Sequence, residues 1–210
     1  MTLAELTHHL RANLLADNAQ PYEWADSTLA LWFSEAEQRF ARETLCFVDT
    51  GPPIAEVTTQ PGVSGYTLDP RIYDVMSIIH DDGSALQSRP FTHVSRTSGR
   101  PTAFSIKPGH AALQLHPIPD GAYTLTLSTS RAPLAALTCP DDVPEIPAFY
   151  HLLLCDWVAY QALRTVDIDK GESALADRFL GHWMKGLLEA KAAFFATAGY
   201  NLQVELPRVI

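Results

Sequence analysis

Three cysteines in 210 residues, Cys46, Cys139 and Cys155, are too few and too widely spaced for a disulfide framework, and no CxxC pair suggests a metal or redox site. Their apolar or proline-flanked settings predict buried thiols. Long apolar runs are also missing: the most apolar stretch, 149–160, is interrupted by His151 and Asp156 and falls short of the roughly 18 to 20 residues of a membrane helix. No membrane association is expected. The first fifteen residues have neither the early positive charges nor the long apolar centre and small-residue cleavage site of a secretion signal, so a chain made and used in a cytoplasm is expected. Basic residues are scarce, with 15 Lys and Arg against 24 Asp and Glu. Residues 1–50 carry eight acidic and three basic side chains, 51–139 six and six, and 140–210 ten and six, so the net charge of −9 lies at the two ends. Tight wrapping of nucleic acid, which needs cations to neutralise phosphates, is disfavoured. DNA sliding past an acidic wall is not.

Catalytic signatures are lacking as well. There is no GxSxG elbow, no glycine-rich phosphate loop and no cysteine in a protease context. Adjacent His8 and His9 point about 100° apart on a helix, and neither His151 nor His182 has an acidic partner three or four residues away. Asp167-Ile-Asp169-Lys-Gly171-Glu172 fails the calcium-loop pattern, because Gly falls at the fifth position and the twelfth is no carboxylate. The carboxylate pairs Asp81-Asp82 and Asp141-Asp142 are turn neighbours, not groups converging from separate elements. No metal, no cofactor and no enzyme is the reading.

A hydrophobic content of 47% is ample for a packed core. Leu3, Leu6, Leu10 and Leu14 make one stripe on a helix over 2–15. Asp26 or Ser27 is expected to cap a second helix that buries Leu29, Trp32, Phe33, Ala36 and Phe40 and leaves Glu35, Glu37, Arg39, Arg42 and Glu43 to solvent. Trp24, just before it, is either a staple on its own helix or an interface anchor.

From Gly51 the pattern changes to short strands: 54–59, 66–68, 72–79, 104–106, 112–115 and 123–128. Asp82-Gly83 and Asp120-Gly121 signal hairpins, and many prolines limit strand length. Pro147 suits a first helical turn, the run 149–160 should form the most buried helix, and Ser173 should cap a last helix ending at Gly199. That helix is expected to bury Leu175, Phe179, Leu180, Trp183, Leu187, Leu188, Phe194 and Phe195. The expected fold is α+β: a helical bundle from 1–50 and 140–197, an inserted small antiparallel β-sheet module at 51–139, and an extended tail at 198–210.

Three segments carry a resemblance: residues 24–44, beginning Trp24-Ala-Asp-Ser; Tyr66-Thr-Leu-Asp-Pro-Arg-Ile; and Pro144-Glu-Ile-Pro147 leading to Leu154-Cys-Asp-Trp157-Val-Ala-Tyr160. Together they resemble the adaptor proteins, or head-to-tail connectors, of tailed bacteriophages, over about residues 3–195. The resemblance implies a structural virion protein at the neck, made in the host bacterial cytoplasm. It implies a homo-oligomeric ring, commonly of twelve subunits, that joins the portal protein of the head to the tail or neck protein below. DNA would pass through its lumen without specific binding. Under that reading Glu35, Glu37 and Glu43 are candidates for an acidic lumen, and alternating Leu202, Val204, Leu206 and Val209 for a contact with the portal or a neighbour by strand addition. Arg96 and Arg100, in a small basic turn, are candidates for a loop contact. The alternatives are a tail-completion or stopper protein of the neck and, from a different class, a small cytoplasmic hydrolase.

Overall fold

A computed structural model of the chain describes residues 1–92, 97–107, 112–165 and 170–197. The chain forms two compact units, one from residues 1–46 and 133–210 and the other from residues 47–132.

The first unit contains four α-helices among the described residues. Helix α1 (Leu3–His9) opens with a capping box, in which the Thr2 hydroxyl accepts from Glu5 N–H while the Glu5 carboxylate accepts from Thr2 N–H. It widens into a π-helical turn over Leu10–Leu15. Leu3, Leu6 and Leu10 of the predicted stripe are buried. Helix α2 (Asp26–Thr44) starts one residue earlier than expected, with Ala25 at the cap position and no side-chain cap. It buries Leu29, Phe33, Ala36 and Phe40, and removing each phenylalanine ring from water contributes about 2 to 3 kcal/mol. A 3-10 turn at Ala148–Tyr150 leads into helix α3 (His151–Thr165), which packs against α1, α2 and helix α4 (Lys170–Thr197). Ser173 lies inside α4, not at its cap. Trp24 is buried and its indole N–H donates to Thr165 Oγ1 at 3.4 Å, so it anchors the α1–α2 connection to the end of α3.

Beneath that connection lies a buried polar cluster. Arg11 is paired with Asp17, and its guanidinium donates to Asp26 Oδ1 at 2.8 Å and to the Trp24 carbonyl at 2.6 Å. Asp17 in turn accepts from Glu23 N–H.

Among the described residues the second unit holds eight strands: β1 (Val48–Thr50), β2 (Glu56–Thr58), β3 (Gly65–Thr67), β4 (Ile72–His80), β5 (Gln87–Ser88), β6 (Ala103–Ile106), β7 (Ala112–His116) and β8 (Thr124–Arg131). In one sheet β8 is central, with β1 and β2 following each other along one side and β4 on the other. The second sheet has the order β3-β7-β6-β5. Leu125 and Leu127 of β8, Ile78 of β4, Phe104 of β6 and Leu113 and Leu115 of β7 share one core, so the two sheets bury each other's apolar faces. Gly83, at φ +83°, turns the chain after β4, as the Asp82-Gly83 signal predicts.

This arrangement corrects the expected fold class. The β part is not a small antiparallel sheet inserted in a helical bundle: it has two four-stranded sheets, and the β5–β6 pair is parallel. The physical reason is that alternation marks which residues are extended, whereas pairing partners come from far along the chain. Of the prolines taken as limits on one sheet, Pro61, Pro70, Pro117 and Pro119 separate strands that go to different sheets.

Candidate functional site

Several reactive groups are held where they can do little chemistry. Burial pushes the Cys46 thiol up to about 11 and the Cys155 thiol up to about 12, away from the thiolate form a nucleophile needs. Cys139, expected to be buried, is exposed. Ser105 Oγ lies 2.9 Å from His116 Nε2, the spacing of a serine nucleophile and its base, but both residues are buried in the β6–β7 pair. Among the described residues no group of three or more His, Cys, Asp and Glu side chains is arranged to hold a metal ion. None of the described helices is long and apolar enough to cross a membrane.

Histidines and acids instead hold backbone in place. His151 Nε2 faces the Ile146 carbonyl at 2.9 Å, which requires the proton on that nitrogen and leaves Nδ1 to accept from the Met1 amino group at 2.9 Å. Glu37, expected in solvent, is 1% exposed and accepts hydrogen bonds from the N–H groups of Glu145 and Ile146. Burial raises its carboxyl to about 7; the two N–H donors pull it partly back, and the charge of Glu145 pushes it up. The acidic candidates are thus divided. Glu35 and Glu43 reach the surface, Glu35 bonded to Arg39 at 2.9 Å and Glu43 at 3.9 Å from Arg42, while Glu37 is internal. Arg100 is exposed and bonded to Asp82 at 2.5 Å, where the Ser84 hydroxyl and N–H donors, and then the arginine, hold the Asp82 carboxyl well below the usual carboxylate range. Arg96, Leu202, Val204, Leu206 and Val209 lie outside the described residues.

The first unit's helices also present apolar surface that its own core does not use. On α4, Phe179, Trp183, Leu187 and Ala190 are buried, but Met184 and Leu188 are 51% and 66% exposed. At about 100° per residue these two stand on a different face from Trp183 and Leu187. They flank a groove of about 230 Å³ floored by Trp157, Trp183 and Leu187, with Arg39, Glu43 and Lys191 around it. The guanidinium of Arg39 lies 4.3 Å from the centre of a Trp157 ring, and the two tryptophans are 5.7 Å apart. Phe149, expected in the most buried helix, is 76% exposed on the turn before α3, and Leu152 is 48% exposed. Sequence reasoning missed Phe149 and Leu188 as surface residues. The available signal was an apolar arc on each helix wider than one packed face needs.

Large apolar side chains in solvent next to a firm core suit a protein whose work is to be covered by other proteins. The sequence profile of the family described as SU10 adaptor protein matches residues 1–202. The chain belongs to the SU10 adaptor protein family. This is a family of phage head-to-tail adaptors, and the match covers both compact units. Membership makes the chain a phage structural adaptor and a virion component that interacts with other head and tail proteins. It is a structural family, which agrees with reactive groups spent on holding backbone. No curated protein matches the chain.

Proposed function

We propose that this adaptor is a ring subunit at the neck of the virion, joining the portal of the head to the tail and forming part of the channel through which DNA passes. The family match carries the reading. The exposed apolar residues support it, because a closed ring needs head-to-tail contacts between two unlike faces. In this proposal Glu35 and Glu43 face the lumen, where negative charge keeps DNA from adhering. Arg96 and Arg100 belong to a loop contact, and the segment with Leu202, Val204, Leu206 and Val209 docks on the portal or on a neighbouring subunit. Twelve subunits is the number the resemblance implies.

Imaging of assembled particles tests the proposal directly: density for this chain is expected as a closed ring between portal and tail. Density elsewhere in the particle ends the reading. Deleting residues 200–210 is expected to leave a folded subunit that no longer docks on the portal, and normal docking of the shortened chain removes the tail's assigned role.

A further inference from the structure

We propose that in the free subunit the groove on α4 is filled by the chain's own segment Leu202-Gln-Val204-Glu-Leu206, folded back along the helix, so that the residues assigned to docking stay covered until assembly. The contact lies within one subunit and stands whether or not a ring forms; its consequence for assembly rests on the docking role proposed above.

The apolar flank of the groove does not stop at Leu188. Met184, Leu188, Lys191 and Phe195 follow at i, i+4, i+7 and i+11, the spacing of one face of a helix. Met184 and Leu188 are exposed and Phe195 is half-buried. The Lys191 amine lies 5.9 Å from the centre of the Phe195 ring, so its aliphatic stem continues the stripe between Leu188 and Phe195. The stripe thus runs from the groove to the last turn of α4, which ends at Thr197. A covering segment that begins at the end of α4 can follow this face from its first residues.

The sequence beyond α4 carries the matching pattern. Gly199 stands two residues past Thr197, and a glycine in that position lets a chain reverse direction after a helix. Tyr200, Leu202, Val204 and Leu206 alternate with Asn201, Gln203 and Glu205, which in an extended segment puts the apolar side chains on one side. Extended chain advances about 3.3 Å per residue, so after a turn at Gly199 Val204 comes about 14 Å back from Thr197 and Leu206 about 20 Å. Leu188 and Met184 lie about 14 Å and about 20 Å back along the helix, at about 1.5 Å per residue. Val204 therefore falls beside Leu188, and Leu206 beside Met184.

Size and tethering select this occupant. The groove, at about 230 Å³, is below the roughly 300 to 1,000 Å³ of small-molecule sites, and its floor of Trp157, Trp183 and Leu187 suits a few aliphatic side chains. A segment on a short tether is presented at an effective concentration on the order of 1 mM, far above that of a second copy in dilute solution. Leaving the groove exposes apolar surface on the segment and on α4 together, so release needs partners that cover both. Under the ring reading the segment passes to the portal or a neighbouring subunit, and the vacated groove joins the face that a neighbour covers. Assembly then exchanges one covering for another.

The test uses p-benzoylphenylalanine in place of Leu188, a position 66% exposed, which puts a photo-cross-linker on the stripe without entering the core. In the purified full chain, free of other virion proteins, mass spectrometry is expected to place the adduct on residues 202–206 of the same chain, with monomer the main product. The same probe at Leu31, 67% exposed on α2, is expected to give at least tenfold less adduct on that segment. Leu202→Ser, Val204→Ser and Leu206→Ser together are expected to lower the yield from position 188 at least tenfold. Equal yields from positions 188 and 31, no adduct on 202–206, or adducts chiefly between chains overturn the inference. All of these leave the ring proposal standing, because particle imaging tests it separately. Conversely, a segment that fails to dock on the portal loses its assembly role and leaves the contact within the subunit intact.

Discussion

Glu37 and Glu145, 108 residues apart in sequence, are joined by a hydrogen bond from the Glu145 N–H to the Glu37 carboxylate, which also accepts from Ile146 N–H at 3.3 Å. One buried side chain on α2 thereby fixes the segment that leads into Phe149 and α3. Fixing it costs stability when the carboxyl ionises. Its value rises from 4.5 in the reference state to about 7 in the folded unit, so the folded state binds the proton more tightly between those limits. The stability it contributes is fully present below pH 4.5 and is lost as pH rises through 7. A gap of this size corresponds to roughly 3 kcal/mol. Glu37→Gln retains an acceptor oxygen and does not titrate. The variant should match the parent within about 1 kcal/mol at pH 5 and exceed it at pH 8, as read by denaturant unfolding at both values. An equal difference at the two pH values would show that Glu37 does not titrate in this window.

Gly186 allows α4 to approach α3. A Cβ there would lie 2.5 Å from Leu153 Cδ1 and 2.7 Å from Cδ2, whereas a Cβ on Gly181 meets nothing within 4 Å. Alanine adds up to about 1 kcal/mol of helix propensity at either site, and overpacking costs about 1 to 3 kcal/mol. Gly181→Ala should therefore stabilise the fold and Gly186→Ala should destabilise it by about 1 kcal/mol. Thermal melts of the two variants give the signs, and a gain at both positions would mean that Leu153 moves aside freely.

The Arg11 cluster explains why the α1–α2 connection is held in place. Arg11 and Asp17 are 6% and 9% exposed, so removing one charge leaves the other buried without its partner. Arg11→Met should cost about 3 to 5 kcal/mol, and Asp17→Asn added to it should recover part of that loss. A double-mutant cycle by denaturant unfolding measures the coupling. Additive losses would show that the two side chains act independently.

Much of this local order was legible in the sequence. The leucine stripe of α1, the Leu29–Phe33–Ala36–Phe40 face of α2, the long strand at 72–79 and the turn at Gly83 all follow from periodicity and backbone preference. Sheet pairing was not legible: β5 has two residues and no period, and β1 and β2 reach β8 from about 80 and about 70 positions away. The candidate site was half legible. Acidic residues can be counted, but Glu37 looks like Glu35 and Glu43 until burial separates them, because an i+2 step on a helix changes face. Phe149 and Leu188 show the converse error. Apolar identity predicts burial on average, and the exceptions are the residues that other proteins must cover.

Lumen charge supplies the last test. Acidic side chains on a channel wall repel phosphate, while each lysine placed there adds an attraction that depends on salt. Glu35 and Glu43 are the surface acids of α2 named for this role, and Glu37 is excluded by its burial. The double substitution Glu35→Lys and Glu43→Lys changes the charge by four per subunit, and ring symmetry multiplies that change around the channel. Particles with the substituted chain should assemble, package DNA and then eject it more slowly, with the delay shrinking as ionic strength rises and screening shortens the reach of the added charge. Release kinetics from purified particles across a salt series measure both effects. Unchanged ejection at low salt would move these residues off the channel wall, and a delay insensitive to salt would point to a mechanical fault in the ring, not to charge.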